Sequence, residues 1–263
     1  MPLSPSGGVL RIFITGASSG IGRALVEHYA AQGAQLGVCA RRGELLQSLS
    51  AGWPAQVVGY PLDVTDAAAL RAAANSFMKR FGTPDIVIAN AGVSVGTLSE
   101  HAEDLDAIRR VMDVNFFGMA ATFSPFIAAM RRAGGGRLVG VASLAGIRGV
   151  PGAEAYSASK AAAISYLESL RVELRDAGIQ VLTLCPGYIR TPMTAHNPFP
   201  MPFLLPAEVA ARRFARAIAR GRSYTVIPWQ MIPVAALLRL LPNALYDRLS
   251  AAAPRKPRQA SPP

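Results

Sequence analysis

Apolar runs and amphipathic stretches alternate along the chain from its start. Val9–Thr15 is a short apolar run that ends in a glycine-rich turn. Gly20–Gln32 then carries Ile21, Leu25 and Tyr29 at helical spacing, and Gly33 follows as a stop signal. Further apolar runs predict strands at Gln35–Ala40, Gln56–Tyr60, Asp85–Ala89, Gly136–Ala142, Ile179–Leu184 and Tyr224–Ile227. Between them the spacing predicts helices at about Asp66–Arg80, Asp104–Arg132, Ala155–Asp176 and Pro206–Arg220, the long one irregular near Asn115. The seven strands are near-continuous apolar runs, as in strands covered on both faces. The expected fold is therefore α/β: one doubly wound domain with a seven-stranded parallel sheet and helices on both faces.

Composition narrows the partners. At 263 residues and 51% apolar, the chain can bury one large core. Twenty-seven basic against 16 acidic residues give a charge of +11, which favours an anionic contact: a phosphorylated cofactor, a lipid surface or nucleic acid. No helix-turn-helix, zinc or RNA-reading signature is present, so no nucleic acid partner is expected. Cys39 and Cys185 sit in separate apolar runs and read as buried free thiols, which suits the cytoplasm. No charged start leads into a long apolar stretch, so no signal peptide is expected. The apolar stretch between Arg222 and Arg239 is interrupted by Pro228 and Pro233 and falls short of the roughly 20 residues a spanning helix needs. Residues 1–8 read as a lead-in, and 251–263, with four prolines and three basic residues, as a disordered tail.

The first turn reads Thr15-Gly16-Ala17-Ser18-Ser19-Gly20-Ile21-Gly22. Its glycines allow close backbone approach to a pyrophosphate, and the helix that follows offers unpaired N–H groups. Asn90-Ala91-Gly92 follows the fourth strand, and Tyr156-Ser157-Ala158-Ser159-Lys160 comes later. With these motifs in this order, the chain resembles the short-chain dehydrogenase/reductase family over about residues 9–227. The resemblance implies a Rossmann-type domain over 9–250 that transfers a hydride between a nicotinamide cofactor and a small-molecule carbonyl or secondary alcohol. It implies cofactor contacts from Gly16, Ser18, Ser19, Gly20, Ile21 and Gly22, from the adenine-side pair Asp63 and Val64, and from Asn90, Ala91 and Gly92. Pro186, Gly187, Ile189 and Thr191, in the turn after the sixth strand, would close on the nicotinamide. A homodimer or homotetramer through the helices bearing Asn115 and Tyr156 is implied as well.

The end of the second strand tests which cofactor. An NAD(H) site usually places a carboxylate there to accept from the ribose hydroxyls. The chain instead reads Cys39-Ala40-Arg41-Arg42, and either guanidinium can pair with a 2′-phosphate. NADP(H) is therefore favoured over NAD(H); the competing reading leaves both arginines in solvent. Asp63 could instead cap the next helix, as could Thr65 or Asp66.

Tyr156 and Lys160 are four apart on a predicted helix and share a face. Ser143 ends the fifth strand, where a parallel sheet opens its ligand crevice. A phenol with pKa near 10 is a proton donor that needs help to act as a base. An ammonium about 4 Å away favours phenolate by roughly 4 kcal/mol at an effective dielectric of about 20, so Lys160 is expected to lower the Tyr156 pKa by about three. Ser143 would hydrogen-bond the substrate oxygen, and Lys160 the nicotinamide ribose. By resemblance, Asn115 supports the proton relay from an irregular helix. The sequence offers no metal-ligand set. An alternative from the same fold is a non-catalytic NADP-sensing or scaffold protein.

After the sixth strand, residues 188–205 form a long apolar loop with Phe199, Met201 and Phe203. Loops of this length are uncommon unless functional, so the segment reads as a substrate lid, or as packing against a helix or a partner subunit. Val93, Val150 and Met193 are candidate lining for a lipophilic substrate. In the extension 228–250, Val234, Leu237, Leu238 and Leu241 have helical spacing. It can pack on the cleft, bury in an oligomer, or touch an anionic membrane surface peripherally.

Overall fold

The computed structural model describes residues 8–195, 197–251 and 255–258. The main sheet is built from β1 (Arg11–Thr15), β2 (Gln35–Ala40), β3 (Val57–Pro61), β4 (Ile86–Ala89), β5 (Gly136–Val141) and β6 (Ile179–Pro186). A short side pair, β7 (Ile189–Arg190) and β8 (Leu205–Pro206), precedes the last strand of the main sheet, β9 (Tyr224–Ile227). All seven main strands are parallel, in the order β3-β2-β1-β4-β5-β6-β9. The order reverses at β1 and β4, which opens a crevice at their carboxyl ends.

Side chains alternate across each strand, so both faces need cover. On one face Ile12, Ile14, Ile86 and Ile88 pack against Leu25 and Val26 of α1 (Gly20–Ala30), and against Phe214 and Ile218 of the later helix Ala207–Ala219. On the other face Phe13, Val87 and Leu138 join a second cluster. Its helical members are Phe77 of α3 (Ala67–Phe81), Phe126 of α5 (Gly118–Arg132) and Leu167 of α6 (Glu154–Glu173). Phe13 meets Phe77 edge-on at 5.6 Å between ring centres. At the far end of the sheet, buried Asp85 accepts from the Arg11 backbone N–H at 2.8 Å and from its guanidinium, tying β4 to β1.

The expected architecture is therefore found, with three additions. Helix α2 (Gly43–Ala51) lies between β2 and β3, where the sequence pattern assigned no element. It buries only Leu46 and Leu49, too few apolar positions to show a period. The long helix expected over Asp104–Arg132 consists of α4 (Asp104–Met112), a π-helical turn Asp113–Phe117 and α5, so the irregularity centres on Asn115. Asp104–Arg132 is apolar and long enough by composition to cross a membrane. Its Met119, Phe123, Phe126 and Met130 are instead spent on the second core cluster. After α7 (Ala207–Ala219) and β9, the extension folds as α8 (Met231–Leu240) and α9 (Asn243–Ser250).

The cap of α3 is Asp66, whose carboxylate accepts from Ala69 N–H at 2.9 Å. Asp66→Ala should therefore cost about 1 kcal/mol in a urea titration, whereas Asp63→Asn should leave helix α3 capped. Of the expected tail, residues 252–254 and 259–263 lie outside the described residues, as does the lead-in through residue 7. The expectation of disorder does not hold for Arg255–Arg258. Arg258 binds Asp104 through two guanidinium nitrogens at 2.9 and 3.0 Å and pairs with Gly96 in a β-bridge.

Candidate active site

The crevice between β1 and β4 holds a cavity of about 230 Å³. Its floor is the glycine turn. Gly16 has φ +71°, and a β-carbon there would lie 2.7 Å from Ala91 Cα. A β-carbon on Gly22 would lie 2.1 Å from the Gly16 carbonyl oxygen, so the turn closes only with glycine at both places. Asn90 Nδ2 donates to the Thr15 and Gly16 carbonyls at 3.2 and 3.1 Å, which locks the segment after β4 onto the turn. No side chain caps the N-terminus of α1, and its first turn holds no acid. Those N–H groups face the cavity side of the turn and suit an anion such as a pyrophosphate.

Arg42 Nη2 donates to Ser18 Oγ and Ser19 Oγ, both at 3.0 Å, so the guanidinium lies over the turn. Arg41 Nη1 stands 4.0 Å from Asp63 Oδ2, an exposed pair. Asp63 Oδ1 accepts from the N–H and hydroxyl of Thr65. Partial burial pushes the Asp63 carboxyl up, but these bonds and the Arg41 charge leave it below the usual carboxylate range. The residues present, a glycine turn at a helix N-terminus with Arg42 over it, fit a nicotinamide dinucleotide.

Tyr156 and Lys160 lie one turn apart on α6 and both line this cavity. Lys160 is 3% exposed, and its Nζ donates to the Val141 carbonyl at 2.8 Å. Burial pushes the ammonium down to about 8. Ser143 stands beside the Tyr156 phenol on the second cavity. Here the sequence expectation is corrected. Burial raises the Tyr156 pKa above its ordinary value, and the Ser143 hydroxyl offsets only part of that rise. Lys160 Nζ is 5.8 Å from the centre of the phenol ring and directed at a carbonyl, so it does not bring the phenol down in this structure.

Asn115 is fully buried in the π-helical turn. Its Oδ1 accepts from Val93 N–H at 2.8 Å, and its Nδ2 donates to Val93 O and to Ser159 Oγ, both at 2.9 Å. Ser159 Oγ in turn donates to the Tyr156 carbonyl at 2.8 Å. Asn115 therefore fastens the loop after β4 to the first turns of α6. Ser159, inside the Tyr156–Lys160 motif, was not singled out from sequence. Only the fold brings its hydroxyl against a side chain 44 residues away.

A second cavity of about 440 Å³ adjoins the first, and Tyr156, Pro186 and Met193 line both. Ser143, Val150 and Met193 lie there as expected. Val93 does not; it lines the dinucleotide cavity. Gly187 lies on the second cavity, not the first. Gly22 and Ile189 line neither: Gly22 acts by its lack of a side chain, and Ile189 packs into the sheet core. The remaining expected cofactor contacts, Ile21, Val64 and Thr191 among them, line the first cavity. The 188–205 loop contributes Tyr188 and Phe199, while Phe203 points outward at 51% exposed.

Of the three placements open to the extension, α8 takes the one on the cleft and roofs the second cavity. Met231, Val234 and Leu238, spaced by three and four, face inward from α8. Leu237, expected on the buried face, is 60% exposed. Arg148 holds the roof down. Its guanidinium donates to the carbonyls of Leu238 and Leu241 and to Asn243 Oδ1, and lies 4.1 Å over the Tyr246 ring. The helical spacing of Met231, Val234 and Leu238 was the signal available; the clamp itself left none.

The chain matches the family model described as short chain dehydrogenase over residues 11–199. It is 40% identical over 239 residues to an "uncharacterized oxidoreductase" of Myxococcus xanthus, covering 89% of this chain and 93% of that one. Its fold is similar to that of a short chain dehydrogenase from Burkholderia cenocepacia in complex with NADP. The TM-score is 0.81 at 27% identity, with 97% of this chain and 100% of that one covered. It is also similar to a short chain dehydrogenase/reductase from Burkholderia phymatum in complex with NAD. There the TM-score is 0.78 at 26% identity, over 96% and 98% of the two chains.

Proposed function

The chain belongs to the short chain dehydrogenase family of oxidoreductases, and on that premise we propose that it reduces apolar ketones or aldehydes to alcohols with NADP(H), using Tyr156 as proton donor. The observation that carries this reading is the place of Tyr156: it lines both cavities, and Ser143 lines the second beside it. The dinucleotide, when bound, supplies the hydride. Ser143 Oγ and Tyr156 Oη hold the carbonyl oxygen, and Tyr156 Oη delivers the proton that completes the alcohol. Because burial keeps the phenol protonated at neutral pH, the site is poised for reduction. Lys160, still an ammonium at neutral pH, lines the same cavity and would hold the nicotinamide ribose.

Arg42 supports the choice of NADP(H). Replacing it with alanine should weaken NADPH binding about tenfold or more, the scale of one charge-assisted contact, while NADH affinity stays within about twofold. Comparing the two dissociation constants by fluorescence titration checks this. Measuring NADPH oxidation over a panel of apolar ketones and aldehydes tests the activity itself. Tight NADPH binding without turnover on any of them would favour the non-catalytic sensor.

Exposed Leu105, Phe117 and Val172 on α4, the π-helical turn and α6 support a homodimer or homotetramer through those helices. Buried, unpaired Cys39 and Cys185 support a cytoplasmic setting. The outer side of the extension, with Trp229, Ile232 and Leu240, offers an apolar surface for peripheral membrane contact.

A further inference from the structure

The second cavity is charged on one side only. Among the described residues no Asp or Glu lines it, and the cations that do are Arg148 and Lys256. Three N–H groups of Arg148 are committed to the carbonyls and the amide oxygen that end α8 and begin α9, and its guanidinium is stacked on Tyr246. Lys256 is held less firmly. Its ammonium has three donors and bonds to the Ser94 carbonyl and hydroxyl, both at 3.0 Å, with no carboxylate partner among the described residues. It arrives on the Arg255–Arg258 strap, which Arg258 anchors to Asp104 and Glu103 and which pairs with Gly96. The rest of the wall includes Val150, Phe199, Met231, Val234 and Leu238.

We propose that Lys256 is a specificity-determining residue, and that the preferred substrate is an apolar carbonyl compound carrying a carboxylate, which takes the open donor of Lys256 while Tyr156 and Ser143 hold the reacting oxygen. The inference rests on the reading of this cavity as the substrate site. A half-buried ammonium with only neutral partners gains from an anion, because desolvation has been met without a compensating charge. Its pKa is lowered by that burial, in line with an uncompensated charge.

Calorimetric titration of the Tyr156→Phe protein in saturating NADPH separates binding from turnover. The probes are a set of keto fatty acids with the carbonyl at successive chain positions, and their methyl esters. The best-bound acid should bind about tenfold or more tightly than its ester, the scale of one hydrogen bond to a charged group. Lys256→Gln should bring that ratio close to one, and Lys256→Arg should keep most of it. Arg258→Ala, which releases the strap, should lower the ratio as well. A ratio near one before substitution overturns the proposal. So does a Lys256→Gln protein that weakens acid and ester alike, since Lys256 would then only fasten the strap to Ser94. Failure of the catalytic reading would show elsewhere, as carbonyl reduction that persists in Tyr156→Phe.

Discussion

Replacing Tyr156 with phenylalanine should lower kcat/KM for carbonyl reduction by about 10²–10⁴-fold, the range of a lost general acid. NADPH affinity and thermal stability should change little, since the ring stays in place and only the hydroxyl beside Ser143 is lost. The pH profile carries the mechanism. Burial holds the phenol above its ordinary pKa of 10, so reduction should be flat between about pH 6 and pH 9. Oxidation of the alcohol needs the phenolate and should climb with pH over the same interval. Steady-state rates in both directions check this. A Tyr156→Phe enzyme that keeps reductive activity within about threefold of the parent would remove Tyr156 from the chemistry.

Replacing Lys160 with methionine should make the cofactor-free protein more stable while disabling it. The drop of the ammonium from 10.5 to about 8 is worth about 3 kcal/mol at neutral pH, paid by the fold to bury the charge. Loss of the bond to Val141 takes back about 1 kcal/mol, which leaves a net gain of about 2 kcal/mol. The sign follows from linkage. Between about 8 and 10.5 the unfolded chain binds more protons at this lysine than the folded one, so its burden on stability fades as pH rises. The methionine variant's advantage should be full at pH 7, shrink above about pH 8, vanish between about pH 9 and 10, and turn into a small disadvantage near 10.5. The Cys185 thiol, pushed up to about 11 by burial and held down in part by the Lys160 charge, also weakens the fold at alkaline pH, and more so in the methionine variant. Denaturant titrations of both proteins across that range measure it. A methionine variant less stable at pH 7 would contradict the assignment of Lys160 as a strained, functional charge.

Much of the molecule was legible along the chain. Continuous apolar runs such as Ile86–Ala89 announced strands covered on both sides, because burial on two faces removes any need for alternation. The turn from Thr15 to Gly22 was legible because only glycine tolerates the approach of Ala91 and of the Gly16 carbonyl. Asn115, Ser143, Tyr156 and Lys160 could be named because their spacing and order are properties of the chain itself. Arg41 and Arg42 were equally visible, but that Arg42 lies over Ser18 and Ser19 while Arg41 turns toward Asp63 was not.

The direction of the Tyr156 titration ran against expectation for a physical reason. A charge pair four residues apart is a local feature, whereas desolvation is imposed by everything packed around it, including β5, β6 and the loops above them. The clamp on the second cavity's roof was hidden on similar grounds. Arg148 grips carbonyls 90 or more residues away, and Lys256 reaches Ser94 across 162. Local pattern thus determined the strands, the glycine turn and the candidate reactive groups, since each depends on neighbours within a few residues. Folding alone set the protonation of the phenol and the chemistry of the cavity wall, since both depend on how far-separated segments exclude water together.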